Sequence, residues 1–143
     1  FTYFQQMAGI QCNPISVEIT YGLERICMFT QQKKNVFDLI WNDEGTTYKD
    51  IFYNSEKEFS KYNFELANTE SLLTKFEIFE REAKNLTSHK LALPAYDQCL
   101  KASHVFNILD ARGAISIAQR SEYISKIRDI VRGVGELWLQ DKY

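Results

Sequence analysis

The hydrophobic period of this chain changes once, and that change restricts the fold more than any other feature. From Ile15 to Tyr21 the sequence ISVEITY alternates. Ile15, Val17, Ile19 and Tyr21 take one face, and Ser16, Glu18 and Thr20 take the other, as in a strand. At Gly22 the alternation stops. LERICMFTQ then has helical spacing, with Leu23, Ile26, Cys27 and Thr30 on one side. After Gly45 every segment reads as helix. The expected fold class is α+β, mainly α: a hairpin and a short helix at the end of an antiparallel sheet, followed by a helical bundle. Residues 1–45 form the first part and residues 46–143 the second.

Within the first part, residues 1–8 alternate aromatic and polar side chains, and Gly9 to Pro14 can turn the chain. A lone hairpin is marginal in water, so further strands are expected upstream. The chain opens FTYFQQ, without methionine, and reads as the C-terminal part of a longer protein. A second short helix is expected around residues 36–41, ending in the turn cluster NDEG.

In the second part, Ser55 and Glu58 suggest a capping box ahead of a helix to about Ala67. Leu72, Phe76, Phe79, Ala83 and Leu86 form an apolar stripe. Pro94 suits a first helical position, with Tyr96, Cys99, Leu100, Ser103 and Phe106 following. Ser116 and Gln119 make another capping box, and the last helix carries Ile124, Ile127, Val131, Val134 and Trp138.

Composition excludes little. A net charge of -2 argues against a surface dedicated to coating nucleic acid. Three scattered cysteines, Cys12, Cys27 and Cys99, contain no CxxC pair. An odd count suits a reducing, cytoplasmic compartment, and buried thiols are expected. No apolar run is long enough to span a membrane.

The candidate chemistry lies where the period changes, in EITYGLER, residues 18–25. Glu18 and Thr20 share a strand face. Gly22 lets the backbone turn or a ligand approach closely. Arg25 falls in the first helical turn, where side chains lean toward the helix N-terminus. A carboxylate there suits an ammonium group; a guanidinium suits phosphate or a flat ring. On the pattern alone, an amphipathic strand followed by an ordinary surface ion pair is the favoured reading.

GLER after an alternating strand resembles motif 3 of class II aminoacyl-tRNA synthetases. Together, FTYFQQ, EITYGLERICMF, TTYKDIF, YNFELA and LPAYDQCLKASHVFNILDARGAIS resemble the bacterial glycyl-tRNA synthetase alpha chain over essentially the whole length. The resemblance implies a class II antiparallel sheet and a helical domain. It implies activation of glycine with ATP and Mg2+, then transfer to tRNA(Gly). The implied assembly is an alpha-alpha homodimer within an alpha2beta2 enzyme whose beta chain supplies most tRNA recognition.

The resemblance also implies residue roles. Arg25 packs on adenine near the ATP phosphates. Glu18 stands where alanine-specific relatives, with DTGMGLER, hold the substrate ammonium. Gly22 lies below the nucleotide, and Glu24 orients Arg25 or the loop. Thr20 replaces a glycine of the alanine-specific stretch, and its bulk is expected to narrow the pocket to glycine. Gln5 and Gln6 continue a strand that lines the amino-acid and ATP site; each is equally readable as a buried strand amide. Motifs 1 and 2 are not among these residues. A polypeptide beginning at Phe1 is therefore expected to be inactive alone, and glycine-dependent pyrophosphate exchange by it would overturn that expectation.

His89 and His104 lack metal-ligand spacing, so no metal site is expected. Asp110 and Arg112 read equally as functional residues or as a charge pair at a helix corner, with Gly113 supplying an unusual backbone angle. Lys33 and Lys34 read as a solvated turn. Two other functions fit less of the chain: a non-catalytic helical interaction module, and a relative of the alanine-specific synthetase.

Overall fold

The computed structural model describes residues 1–140. It is mainly helical with one two-stranded antiparallel sheet, as the pattern of periods requires. The elements run β1 (Thr2–Met7), β2 (Ile10–Glu18), α1 (Leu23–Thr30), a 3-10 turn (Val36–Asp38), α2 (Tyr48–Lys61), a π-helical turn (Tyr62–Leu66), α3 (Thr69–Ser88), α4 (Ala92–Ala111) and α5 (Ile117–Gln140). Contacts divide the chain into two units: Phe1–Tyr3 with Val17–Leu66, and Phe4–Ser16 with Ala67–Tyr143.

The hairpin turns on Ala8 and Gly9, both at positive φ (50° and 80°). A two-residue turn of this kind matches the twist of its strands. The expected turn over Gly9 to Pro14 is therefore shorter, and Gln11 to Pro14 belong to β2. Pro14 is tolerated there because a two-stranded sheet leaves each strand an unpaired edge.

In the first unit only Leu39 is buried. The expected helix over 36–41 is one 3-10 turn, and Ile40 instead bridges Thr47. The cause is Gln31, whose amide donates to Ile40 O at 3.0 Å and accepts from Ile40 N at 2.8 Å. Both groups of Ile40 are thereby withdrawn from helical pairing. Phe37, Tyr48, Phe52, Tyr53 and Trp41 pack ring against ring around this loop.

Helix α2 also starts earlier than Ser55. Thr47 is its N-cap, and Thr47 with Asp50 completes a reciprocal capping box. No breaker separates Tyr48 from Ser55, so the first cap in the chain wins and Ser55 falls mid-helix. The regular helix ends at Lys61, and Tyr62–Leu66 winds as a π turn.

The second unit holds the core. On α3, Leu72, Phe76 and Ala83 are buried, with Phe79 and Leu86 packed beside them, as the stripe predicts. On α4 the expected face holds for Cys99 and Phe106, but Tyr96 and Leu100 are 45% and 51% exposed. The buried set is Ala92, Ala95, Cys99, Ala102, Val105, Phe106, Ile108 and Leu109. This helix packs on both α3 and α5, so it buries a wide, alanine-rich face that a single stripe underestimates. Pro94 is its third residue, still within the turn whose N–H groups lack helical partners.

Helix α5 begins at the expected box: Ser116 N donates to Gln119 Oε1 at 2.8 Å, and Gln119 N to Ser116 Oγ at 3.2 Å. Its buried residues are Ile130, Val134 and Leu137; Ile124, Ile127 and Val131 are half-buried, and Trp138 is more exposed still. Of the three thiols only Cys99 is buried; Cys12 and Cys27 are half-exposed.

Candidate functional site

Residues 18–25 join β2 to α1. Glu18 is the last strand residue, the chain stays irregular to Tyr21, and Gly22 is the N-cap of α1. Ile26 N donates to Gly22 O at 3.2 Å, closing the first turn around Glu24 and Arg25. That turn presents unpaired N–H groups and the positive end of the helix dipole.

Thr20 Oγ1 donates to Glu18 Oε1 at 2.5 Å, so the expected same-face pair is a direct hydrogen bond. Arg25 folds back as helical side chains do: a Cβ placed on Gly22 would lie 3.8 Å from its Cγ and 3.9 Å from its Cδ. Glu18, Thr20, Gly22, Glu24 and Arg25 are all exposed. Among the described residues none of Glu18, Glu24 and Arg25 forms an ion pair. The surface Glu–Arg pair that the sequence also allows is not made there.

Gly22 has φ −68° and ψ 119°, a conformation open to any residue. A sharp turn is not what calls for glycine, and a Cβ there would make only ordinary contact with the Arg25 side chain.

A model of the glycyl-tRNA synthetase alpha subunit family matches residues 1–143. The chain belongs to that family. The family is one of aminoacyl-tRNA synthetases, which are ligases. Glycyl-tRNA synthetase alpha subunits are thus the frame for the other sequence candidates.

Gln5 and Gln6 are consecutive residues of β1, both exposed, so neither is a buried strand amide. Consecutive strand residues face opposite ways, so at most one of the two serves any given pocket. Both fall in the second contact unit, whereas residues 18–25 fall in the first.

No group of three His, Cys, Asp or Glu is placed to hold a metal among the described residues. His89 closes α3: its Nδ1 donates to Asn85 O at 2.9 Å. Asp110 and Arg112 do not pair with each other. Arg120 Nε reaches both Asp110 oxygens at 3.1 and 3.0 Å, and Arg112 Nη1 donates to Ala67 O at 3.0 Å. Gly113 does take the unusual angle, φ +62°. Among the described residues no helix is long and apolar enough to cross a membrane.

Sequence reasoning missed one feature, a cavity of about 640 Å³ in the second unit lined by Ile10, Cys12, Tyr96, Val134 and Trp138, among others. Its residues come from four separate elements, so no local spacing signals it.

Proposed function

We propose that residues 18–25 are the glycine- and ATP-binding joint of a glycine–tRNA ligase. What supports this reading is the full-length family match, together with a strand that ends in Glu18 and a helix that presents Arg25 in its first turn. Glu18 holds the glycine ammonium. Arg25 lies on the adenine near the terminal phosphates, a contact worth about 1–3 kcal/mol by the scale of base stacking. Gly22 leaves room for the nucleotide, and Glu24 orients the loop. One of Gln5 and Gln6 is the weaker candidate for the amino-acid side.

The reaction needs no covalent enzyme intermediate. The glycine carboxylate attacks the α-phosphorus of ATP, the bond to the β-phosphate oxygen breaks, and pyrophosphate leaves. A ribose hydroxyl of tRNA(Gly) then attacks the mixed anhydride and releases AMP. Catalysis is positioning and charge stabilisation. Mg2+ accompanying the nucleotide would supply neutralisation of its phosphate charge.

The wider reading is a cytoplasmic alpha chain that pairs with a second copy and with a beta chain in an alpha2beta2 enzyme. Residues 1–45 belong to its catalytic domain and 46–143 to its helical domain; residues 141–143 lie outside the described residues.

The decisive experiment is ATP–pyrophosphate exchange against the standard amino acids. It uses the intact subunit with its partner, beside Arg25→Ala. Exchange with glycine alone, lost at least a hundredfold in the variant, is the expected result, because both stacking and phosphate contact disappear (about 1.4 kcal/mol per tenfold). Exchange with alanine moves the assignment to the alanine-specific relatives. No exchange from a folded assembly returns residues 46–143 to a non-catalytic helical module. Thr20→Gly tests the pocket: excluding a larger side chain by closure is the easier kind of selectivity, so the variant is expected to activate alanine. No change in the alanine-to-glycine ratio rejects that role.

A further inference from the structure

We infer that Thr20 is a positioning residue whose hydroxyl holds one oxygen of Glu18, leaving the other free for the ammonium of glycine. This rests on the reading of Glu18 just proposed, and deepens it.

The geometry comes from the end of β2. Residues two apart in extended chain share a face, and Glu18 and Thr20 do so where the strand stops. Thr20 Oγ1 reaches Glu18 Oε1 at 2.5 Å, within the range for a hydroxyl on a carboxylate. The two side chains differ in freedom. Threonine is stiff at χ1, so its hydroxyl is placed by the backbone. Glutamate is long and exposed, and holding it still costs rotamer entropy. A stiff donor that fixes a loose acceptor prepares the carboxylate before substrate arrives.

The hydrogen-bond inventory fits an ammonium ligand. A carboxylate has about four lone-pair sites and a hydroxyl has one proton and two lone pairs. After Thr20 donates to Oε1, Oε2 remains entirely open. The Thr20 oxygen also keeps lone pairs, and donating to an anion makes it a better acceptor. An ammonium offers three donors, which Oε2 and Thr20 Oγ1 can meet from one side. This assigns the two branches of Thr20 separate work: the hydroxyl orients Glu18, while the methyl supplies bulk.

Thr20→Val keeps the shape and removes the donor; Thr20→Ser keeps the donor and removes the methyl. Both are measured with Glu18→Gln by glycine-dependent pyrophosphate exchange in the intact assembly. Expected is a KM for glycine about tenfold higher in Thr20→Val, with kcat and the KM for ATP within about twofold (tenfold corresponds to 1.4 kcal/mol). Thr20→Ser is expected to restore most of the glycine KM. If Glu18→Gln impairs glycine use but Thr20→Val matches the parent, the positioning role is wrong and the Glu18 reading stands. If Thr20→Ser is as impaired as Thr20→Val, a hydroxyl at this position does not suffice to place Glu18, and the inference fails. If Glu18→Gln leaves glycine use unchanged, the reading beneath it fails too. An unchanged ATP KM in the valine variant separates a local effect from a damaged fold.

Discussion

Arg112 and Gly113 stand at the turn between α4 and α5, and each meets a different physical demand. Arg112 is half-buried and donates to the carbonyl of Ala67, 45 residues earlier, just ahead of α3. A hydrogen bond from a charged donor contributes about 1.5–3 kcal/mol. Arg112→Ala is therefore expected to destabilise the chain by about 2 kcal/mol, read as a lower urea midpoint at unchanged m. Gly113 has φ +62°, and a Cβ there would meet nothing within 4 Å. The cost of Gly113→Ala is then backbone strain alone, about 1–2 kcal/mol, and Gly113→Asn is expected to cost less. Equal losses for Ala and Asn would show that the backbone angle is not the cause. The angle at Gly113 was legible from DARGA, but the partners were not. Asp110 and Arg112 are close in sequence, whereas the real bonds run to Arg120 and Ala67. At residues 18–25 the opposite holds: the hydrogen bond is between residues two apart, so strand spacing alone brought Glu18 and Thr20 together.

Among the elements, α2 and α5 carry the clearest tests. Thr47 and Asp50 begin α2 with a reciprocal box. The Thr47 hydroxyl, then its backbone N–H, then Lys49 hold the Asp50 carboxyl below its ordinary value. A folded pKa below the unfolded one stabilises above the unfolded value, about 3.9, and that contribution is lost as pH falls through the folded value. Thr47→Ala is expected to cost about 1 kcal/mol at neutral pH, with the gap to the parent closing below pH ~4. A gap independent of pH would exclude the carboxylate from the cap. Helix α5 carries Gly133 and Gly135 in its interior. A Cβ on Gly133 makes ordinary contact with Thr87 at 3.6 Å, while one on Gly135 lies 3.0 Å from Ile10 Cδ1. Gly133→Ala is expected to stabilise by about 1 kcal/mol through helix propensity, raising Tm by about 3 °C. Gly135→Ala is expected to deliver less, because Ile10 must move aside. Equal stabilisation would mean that Ile10 yields freely. The start of α5 was legible because Ser116 and Gln119 lie three apart before an apolar run. The start of α2 was not legible because its box pairs Thr47 with Asp50 rather than with Glu or Gln.

At the scale of the whole molecule, apolar burial is very unequal. The first unit buries Leu39, whereas the second buries Phe76 and Leu109 almost completely, together with Ala83, Ala95 and Ala102. The helical core was legible because long amphipathic helices state their buried face in their period. Assigning residues 4–16 to the second unit was not, since it depends on approaches such as Gly135 to Ile10, 125 residues apart in sequence. Local opening is easiest where few apolar contacts must break. Amide exchange is thus expected to be slowest in α3 and α4, around Phe76, Cys99 and Leu109, and faster in α1 and α2, which have no buried residue. The Cys99 thiol belongs to the same protected core; burial raises its pKa, and it is expected to resist alkylation that labels Cys12 and Cys27. Phe76 meets Tyr123 edge-to-face with centroids 4.4 Å apart. Removing its ring deletes that contact and leaves a cavity, so Phe76→Ala is expected to cost about 3–5 kcal/mol. If the two units open separately, exchange in α3 and α4 accelerates by roughly two to three orders of magnitude, at 1.4 kcal/mol per tenfold, and α1 keeps its own rate. Equal acceleration in α1 would show that its amides exchange through the same global unfolding as the helical core.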